Sequence, residues 1–195
     1  MAIRSVSRTL SLILGGITVT VLFSTGPAGA GGCTITGTGG EDRLIGTNGS
    51  DVICARGGDD RIRGRGGHDV IRGGPGDDTM FGNAGVDAIV GGRGSDFMLP
   101  GQGRDLARGG PGQDFSSISS AGSDTWHGGR GSDHLTDFKG PDGVLGGPGG
   151  DPCLATQDGV GDDAIRGGPG RDIGDADVGD RVSSLEVQGV VCFAD

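Results

Sequence analysis

Residues 73–99 read GGPGDDTMF, GNAGVDAIV and GGRGSDFML, three consecutive nine-residue units with Gly at the fourth place, Asp at the sixth and an apolar residue at the eighth. Working outward, the frame runs back without a gap through GRGGHDVIR, ARGGDDRIR and GTNGSDVIC to GTGGEDRLI at Gly37. It runs forward through PGQGRDLAR to GGPGQDFSS, ending at Ser117. One extra residue, Ile118, precedes SSAGSDTWH, GGRGSDHLT, DFKGPDGVL and GGPGGDPCL. Three more, Ala155 to Gln157, precede DGVGDDAIR and GGPGRDIGD. Gly holds the fourth place and Asp the sixth in all fifteen units. The Asp column is Asp42, Asp51, Asp60, Asp69, Asp78, Asp87, Asp96, Asp105, Asp114, Asp124, Asp133, Asp142, Asp151, Asp163 and Asp172.

Each residue type has a physical reason. Gly at the first and fourth places permits the positive φ of a tight turn. Two residues after the second of these, a carboxylate and backbone carbonyls can converge on one point, which is the donor set of a hard cation. The eighth place holds Leu44, Ile53, Ile62, Ile71, Met80, Ile89 and Met98, lapses at Ala107 and Ser116, and continues with Trp126, Leu135, Val144, Cys153, Ile165 and Gly174. Places seven to nine are long enough only for a short strand with its middle residue facing one way. One apolar side chain per unit cannot be buried by the unit alone, so units must stack into a solenoid. With two units to a coil, Asp51 stacks on Asp69 and Asp60 on Asp78, eighteen residues apart.

The pattern GGxGxD, apolar at the eighth place, resembles the haemolysin-type (repeats-in-toxin, RTX) calcium-binding nonapeptide, intact here in GGPGDDTMF and GGRGSDFML. The resemblance implies an all-β fold, a parallel β-roll with two repeats per coil. It also implies Ca2+ held between stacked turns by the fifteen sixth-place Asp carboxylates and by backbone carbonyls. The departures from the pattern set further expectations. Ile118 and the Ser-rich SSISSAGS around it predict a bulge, or a boundary between a first roll segment (31–117) and a second (118–175), with Asp105, Asp114 and Asp124 the weakest sites. The insertion at Ala155 to Gln157 predicts poor stacking of Asp151 with Asp172.

Composition narrows the function classes. Of 195 residues 47 are Gly, six are Phe, one is Trp and none is Tyr, which excludes an ordinary globular enzyme domain. The acid is almost wholly Asp, the formal charge is -10, and nucleic acid and anionic membrane are thereby disfavoured as partners. Residues 1–30 read as a secretory signal: Arg4 and Arg8, an apolar stretch from Leu10 to Phe23, then Ala28-Gly29-Ala30 before Gly31. No apolar segment long enough to span a membrane remains after its removal. The mature chain would be secreted, extracellular or at the cell surface, and more acidic by the two lost Arg. An even set of cysteines in an oxidising compartment favours disulfides, with Cys33–Cys54 and Cys153–Cys192 preferred because each pair brackets one end of the array. Residues 176–195, with Val182, Leu185, Val187, Val190 and Val191, read as capping strands.

Other constellations are weaker. Asp175, Asp177, Asp180 and Glu186 have partial EF-hand spacing, but Asp180 stands where that loop needs Gly. His68, His127 and His134 fall in outward-facing places. No GxSxG elbow or other nucleophile context appears, and no catalysis is expected. Arg61, Arg63, Arg65 and Arg72 could form a basic ladder that recognises an acidic cell-surface polysaccharide. The leading reading is a secreted calcium-binding β-roll that folds on binding extracellular calcium. The alternatives are an adhesion or polysaccharide-binding scaffold with structural calcium, and a non-catalytic accessory chain of a secreted hydrolase or toxin.

Overall fold

The computed structural model describes residues 8–14, 17–23, 32–118, 122–137, 140–156, 163–176, 181–183 and 187–188. Successive repeats deliver strands alternately to two parallel nine-stranded sheets. One sheet contains Ile35–Thr36, Val52–Cys54, Val70–Pro75, Ala88–Arg93, Leu106–Gly112, Thr125–Gly131, Gly143–Leu145, Ala164–Arg166 and Arg181–Ser183. The other contains Arg43–Ile45, Arg61–Gly66, Thr79–Ala84, Phe97–Gln102, Phe115–Ile118, His134–Asp137, Cys153–Thr156, Ile173–Ala176 and Val187–Gln188. Two repeats therefore make one coil. Ile71 pairs with Ile53 before it and Ile89 after it, and Met80 with Ile62 and Met98.

The core is a single double row of eighth-place side chains between the sheets, with Ile53, Ile62, Ile71, Met80 and Ile89 fully buried. Strand residues on either side of each face outward, so the burial pattern alternates as a two-residue period requires. The apolar column does not fail where the sequence suggested. Ala107 pairs with Trp126 in the same sheet, and Ser116 belongs to the intervening half-coil of the opposite sheet. The indole is 1 % exposed and stands in the core column next to Ala107. The Ser116 hydroxyl, fully buried, donates to Met98 O at 2.9 Å and so carries no unsatisfied polar group into the core.

The expected break into two roll segments near residue 118 does not occur. Phe115–Ile118 pairs with Phe97–Gln102 on one side and with His134–Asp137 on the other, and the opposite sheet continues from Leu106–Gly112 to Thr125–Gly131. Ile118 itself pairs with Asp137. A second correction concerns the eighth place of GGPGGDPCL. Leu135 pairs with Leu154, and His134 with Cys153, so Leu154 and not Cys153 enters the core column and Pro152 is the surplus residue. Arg181–Ser183 and Val187–Gln188 add the last strand to each sheet, and Leu185, Val190 and Val191 lie outside the described residues.

Arg8–Leu14 and Ile17–Phe23 form an antiparallel ribbon in a sheet of its own. Among the described residues, no helix is long and apolar enough to cross a membrane.

Candidate metal centre

The turns are shaped by glycine in two different ways. Positive φ is needed at the second and fourth places, for example at Gly74 (121°) and Gly76 (138°). It is not the reason for Gly at the first place, contrary to the sequence reading. There a side chain is excluded by crowding: a Cβ on Gly73 would collide with Asp78 Oδ2 and stand 2.8 Å from Gly91 O. A Cβ on Gly146 would likewise collide with Asp151 Oδ2 and stand 2.7 Å from Gly167 O. The first-place Gly thus keeps clear a space in which one carboxylate oxygen and a carbonyl of the next coil both come close.

All fifteen Asp of the column are buried. Their carboxylates form two ladders, one along each edge of the roll, in which each Asp N–H donates to Oδ1 of the Asp one coil further on. Along one edge Asp60 N–H reaches Asp78 Oδ1 at 2.9 Å, and Asp78 N–H reaches Asp96 Oδ1 at 3.0 Å. Along the other Asp51 N–H reaches Asp69 Oδ1 and Asp69 N–H reaches Asp87 Oδ1, both at 2.8 Å. The insertions leave the ladders whole. Asp105 and Asp114, across the extra residue, bond to Asp124 and Asp133 at 2.5 and 3.0 Å. Asp142 and Asp151, across the longer insertion, bond to Asp163 and Asp172 at 2.6 and 3.1 Å. The sites expected to be weakest are built like the others.

At eleven of these Asp the ladder satisfies only one carboxylate oxygen. Oδ2 of Asp60, Asp69, Asp78, Asp87, Asp96, Asp105, Asp114, Asp124, Asp133, Asp151 and Asp172 is buried with no hydrogen-bond partner. Rows of desolvated, half-satisfied carboxylates at strand spacing of ~4.8 Å are costly, because burial penalises each charge and neighbours repel. Burial, partly offset by the N–H from Asp42 and reinforced by Asp78, pushes Asp60 up to about 7. Asp96 rises to about 7, and Asp69, Asp105, Asp114, Asp124, Asp133 and Asp151 to about 6, with burial the first cause in every case. Asp78 and Asp87 are raised for the same reason.

An all-oxygen set of anionic Oδ2 and neutral carbonyls fits a hard divalent cation. Among the described residues no cluster of three or more His, Cys, Asp or Glu side chains converges.

Asp42 and Asp51 are built differently from these eleven. Asp42 Oδ2 accepts the N–H of Thr38 at 2.5 Å and its hydroxyl at 2.9 Å; Asp51 Oδ2 accepts the N–H of Thr47 at 2.7 Å and its hydroxyl at 2.9 Å. The sequence reading passed over these threonines. Their signal was present as Thr at the second place of GTGGEDRLI and GTNGSDVIC, where other repeats have Gly, Arg, Asn, Ser, or Phe.

Cys33 and Cys54 form a disulfide with Cα atoms 5.8 Å apart. Cys153 is also disulfide-bonded, and its expected partner, Cys192, lies outside the described residues. Of the EF-hand-like group, Asp177, Asp180 and Glu186 lie outside the described residues. Asp175 belongs to the strand Ile173–Ala176, with the strand Arg181–Ser183 following, so strands and not helices flank the segment.

The arginines do not make one ladder. Arg61 and Arg63 face out from one sheet, Arg72 from the other, and Arg65 sits in a turn with φ 86°. Arg61 Nη1 pairs with Glu41 Oε1 at 3.0 Å, and Arg63 lies 5.5 Å from the centre of the Phe81 ring. That ring begins an outward aromatic stack through Phe97, Phe115 and His134, with centroids 6.4, 5.1 and 4.9 Å apart. His68 Nδ1 accepts the Val86 N–H at 2.8 Å. These histidines serve the outer surface and its turns.

The fold and its turns define a class: a parallel β-solenoid whose buried carboxylate edges are built for hard cations. The sequence matches the family model of the RTX calcium-binding nonapeptide repeat (4 copies) over residues 36–71, 63–98 and 118–151. The chain carries the repeats of that family, and its roll is of the RTX type. No curated protein matches the chain.

Proposed function

We propose that this is a secreted calcium-binding β-roll that stays unfolded where calcium is scarce and folds on reaching calcium outside the cell. The observation that carries the reading is the double row of buried Oδ2 atoms without partners. Calcium, when bound, supplies the positive charge and the coordination that these oxygens lack. The chain's own part is to hold Oδ1 on the Asp N–H of the preceding coil, so that Oδ2 is aimed at the space kept open by the first-place Gly. Because the sites exist only in the stacked state, ion binding stabilises that state alone. A core one side chain thick offers little to hold the roll together against its carboxylate repulsion in the ions' absence.

Export rests on residues 1–30 acting as a signal removed before Gly31. The role is one of binding and folding, without catalysis. The test is far-UV circular dichroism of residues 31–195 titrated with calcium from a chelated start, magnesium serving as control and Trp126 fluorescence as a second probe. A calcium-specific coil-to-β transition is expected. A β-signal that survives exhaustive chelation at neutral pH would overturn the reading.

A further inference from the structure

We propose that the first two turns of the roll take no calcium, because Thr38 and Thr47 supply to Asp42 and Asp51 the partner that an ion supplies from Asp60 onward. The proposal rests on the calcium reading above and refines which of its sites exist. Its basis is a difference in the geometry of otherwise equivalent Asp residues. From Asp60 on, named Oδ2 atoms are buried without any hydrogen bond. At Asp42 and Asp51 the same oxygen already accepts two, one from a backbone N–H and one from a hydroxyl. Asp51 is the more saturated, since its Oδ1 also accepts the Thr34 hydroxyl at 3.1 Å. A carboxylate with these donors turned toward it presents N–H and O–H hydrogens to the space where a cation would have to stand.

The cause lies at the second place of the repeat. In later turns that residue has positive φ, as at Arg56 (83°), Arg65 (86°) and Gly74 (121°). Thr38 and Thr47 are not in that conformation, which a β-branched residue resists. The turn consequently closes the other way, with its second-place N–H and hydroxyl aimed at the Asp. The hydroxyl also ties the turn internally: Gly49 N–H donates to Thr47 Oγ1 at 3.1 Å.

Position in the fold explains why such turns stand here. Beneath these first repeats the roll offers only the two-residue strand Ile35–Thr36, which pairs with Val52–Cys54. Two hydroxyl-capped carboxylates, closed off by the Cys33–Cys54 disulfide, end the ladders without a half-built ion site. The calcium-dependent part of the roll then begins at the third repeat.

The test is the number of calcium ions bound to residues 31–195 with disulfides intact, counted by native mass spectrometry at saturating calcium. Circular dichroism checks that each variant folds. Asp51→Asn is expected to leave the count unchanged, whereas Asp78→Asn lowers it by at least one. Thr47→Gly, which recreates the Gly-Gly start of GGPGDDTMF, is expected to raise the count by one, and Thr47→Ser, which keeps the hydroxyl, to leave it at the wild-type value. A loss of an ion in Asp51→Asn, or no gain in a folded Thr47→Gly, overturns the proposal while leaving calcium binding intact. A wild-type chain that binds no ion at all overturns the broader function, and the Thr caps with it.

Discussion

The stretch from Gly37 to Ser117 keeps the nine-residue count without a slip, whereas the stretch from Gly122 to Ala176 carries surplus residues and irregular turns, yet both build the same two sheets. Paired strand positions and the Asp ladder stay in step across the insertions, with partners 18 residues apart in the first stretch and 19 or 21 apart where the extra residues fall. The comparison teaches which parts of the repeat are under constraint. A residue added between a strand and the following turn can bulge into solvent. A residue lost between the Asp and the core column cannot be made up, since a slip of one turns the strand's faces over.

The largest expected effect tests whether the two stretches are one cooperative unit. Carboxylates raised to about 6 or 7 occur in both, at Asp60, Asp69 and Asp96 as well as at Asp124, Asp133 and Asp151. Their ordinary value is 3.8, so the ion-free roll binds more protons than the unfolded chain between those limits, and its stability falls as pH rises through that window. The chelated chain should therefore lose β-structure between pH 4 and 7 and regain it on acidification. Calcium should reverse the dependence, since it needs the ionised form. Circular dichroism, which averages the whole roll, and the fluorescence of Trp126, which reports on the irregular stretch, should change together; separate midpoints would mean two independent segments.

A pair of deletions breaks the comparison directly. Removing Thr79 leaves one residue too few between Asp78 and the core column and should abolish calcium-induced folding. Removing Pro152 brings Cys153 and Leu154 to the seventh and eighth places of an ordinary repeat and should shift the midpoint of urea denaturation by less than about 1 kcal/mol of stability. Equal damage from both would refute the constraint inferred here.

Trp126→Ala, in the calcium-loaded protein, should cost about 3–5 kcal/mol in urea denaturation, because removing the buried indole leaves a large cavity beside its small sheet neighbour Ala107. Restoring activity of the core with Ala107→Val in that background would support the complementarity; no recovery would argue against it.

The smallest effect concerns the strained second place. Arg56→Gly should stabilise the loaded roll by about 1 kcal/mol, as a non-glycine residue at φ 83° gives way to one that adopts it freely. A neutral or destabilising result would mean that the Arg56 side chain contributes packing that outweighs its backbone strain.

The repeat alone determined the turn-and-strand unit, the inward column, the pairing of coils at eighteen residues and the Asp edges, because a period of nine repeated fifteen times leaves a parallel stack as the way to bury one side chain per unit. Tertiary structure decided what depends on neighbours one coil away. First-place glycines are required by the carboxylate and carbonyl that crowd them, Leu154 displaces Cys153 in the core by pairing with Leu135, and the buried Trp126 is set beside Ala107. The same holds for the carboxylates. Fifteen identical Asp residues read alike in sequence, but the hydrogens that meet an Oδ2 come from the turn's conformation, and only folding separates Asp42 and Asp51 from the Asp residues whose Oδ2 has no partner.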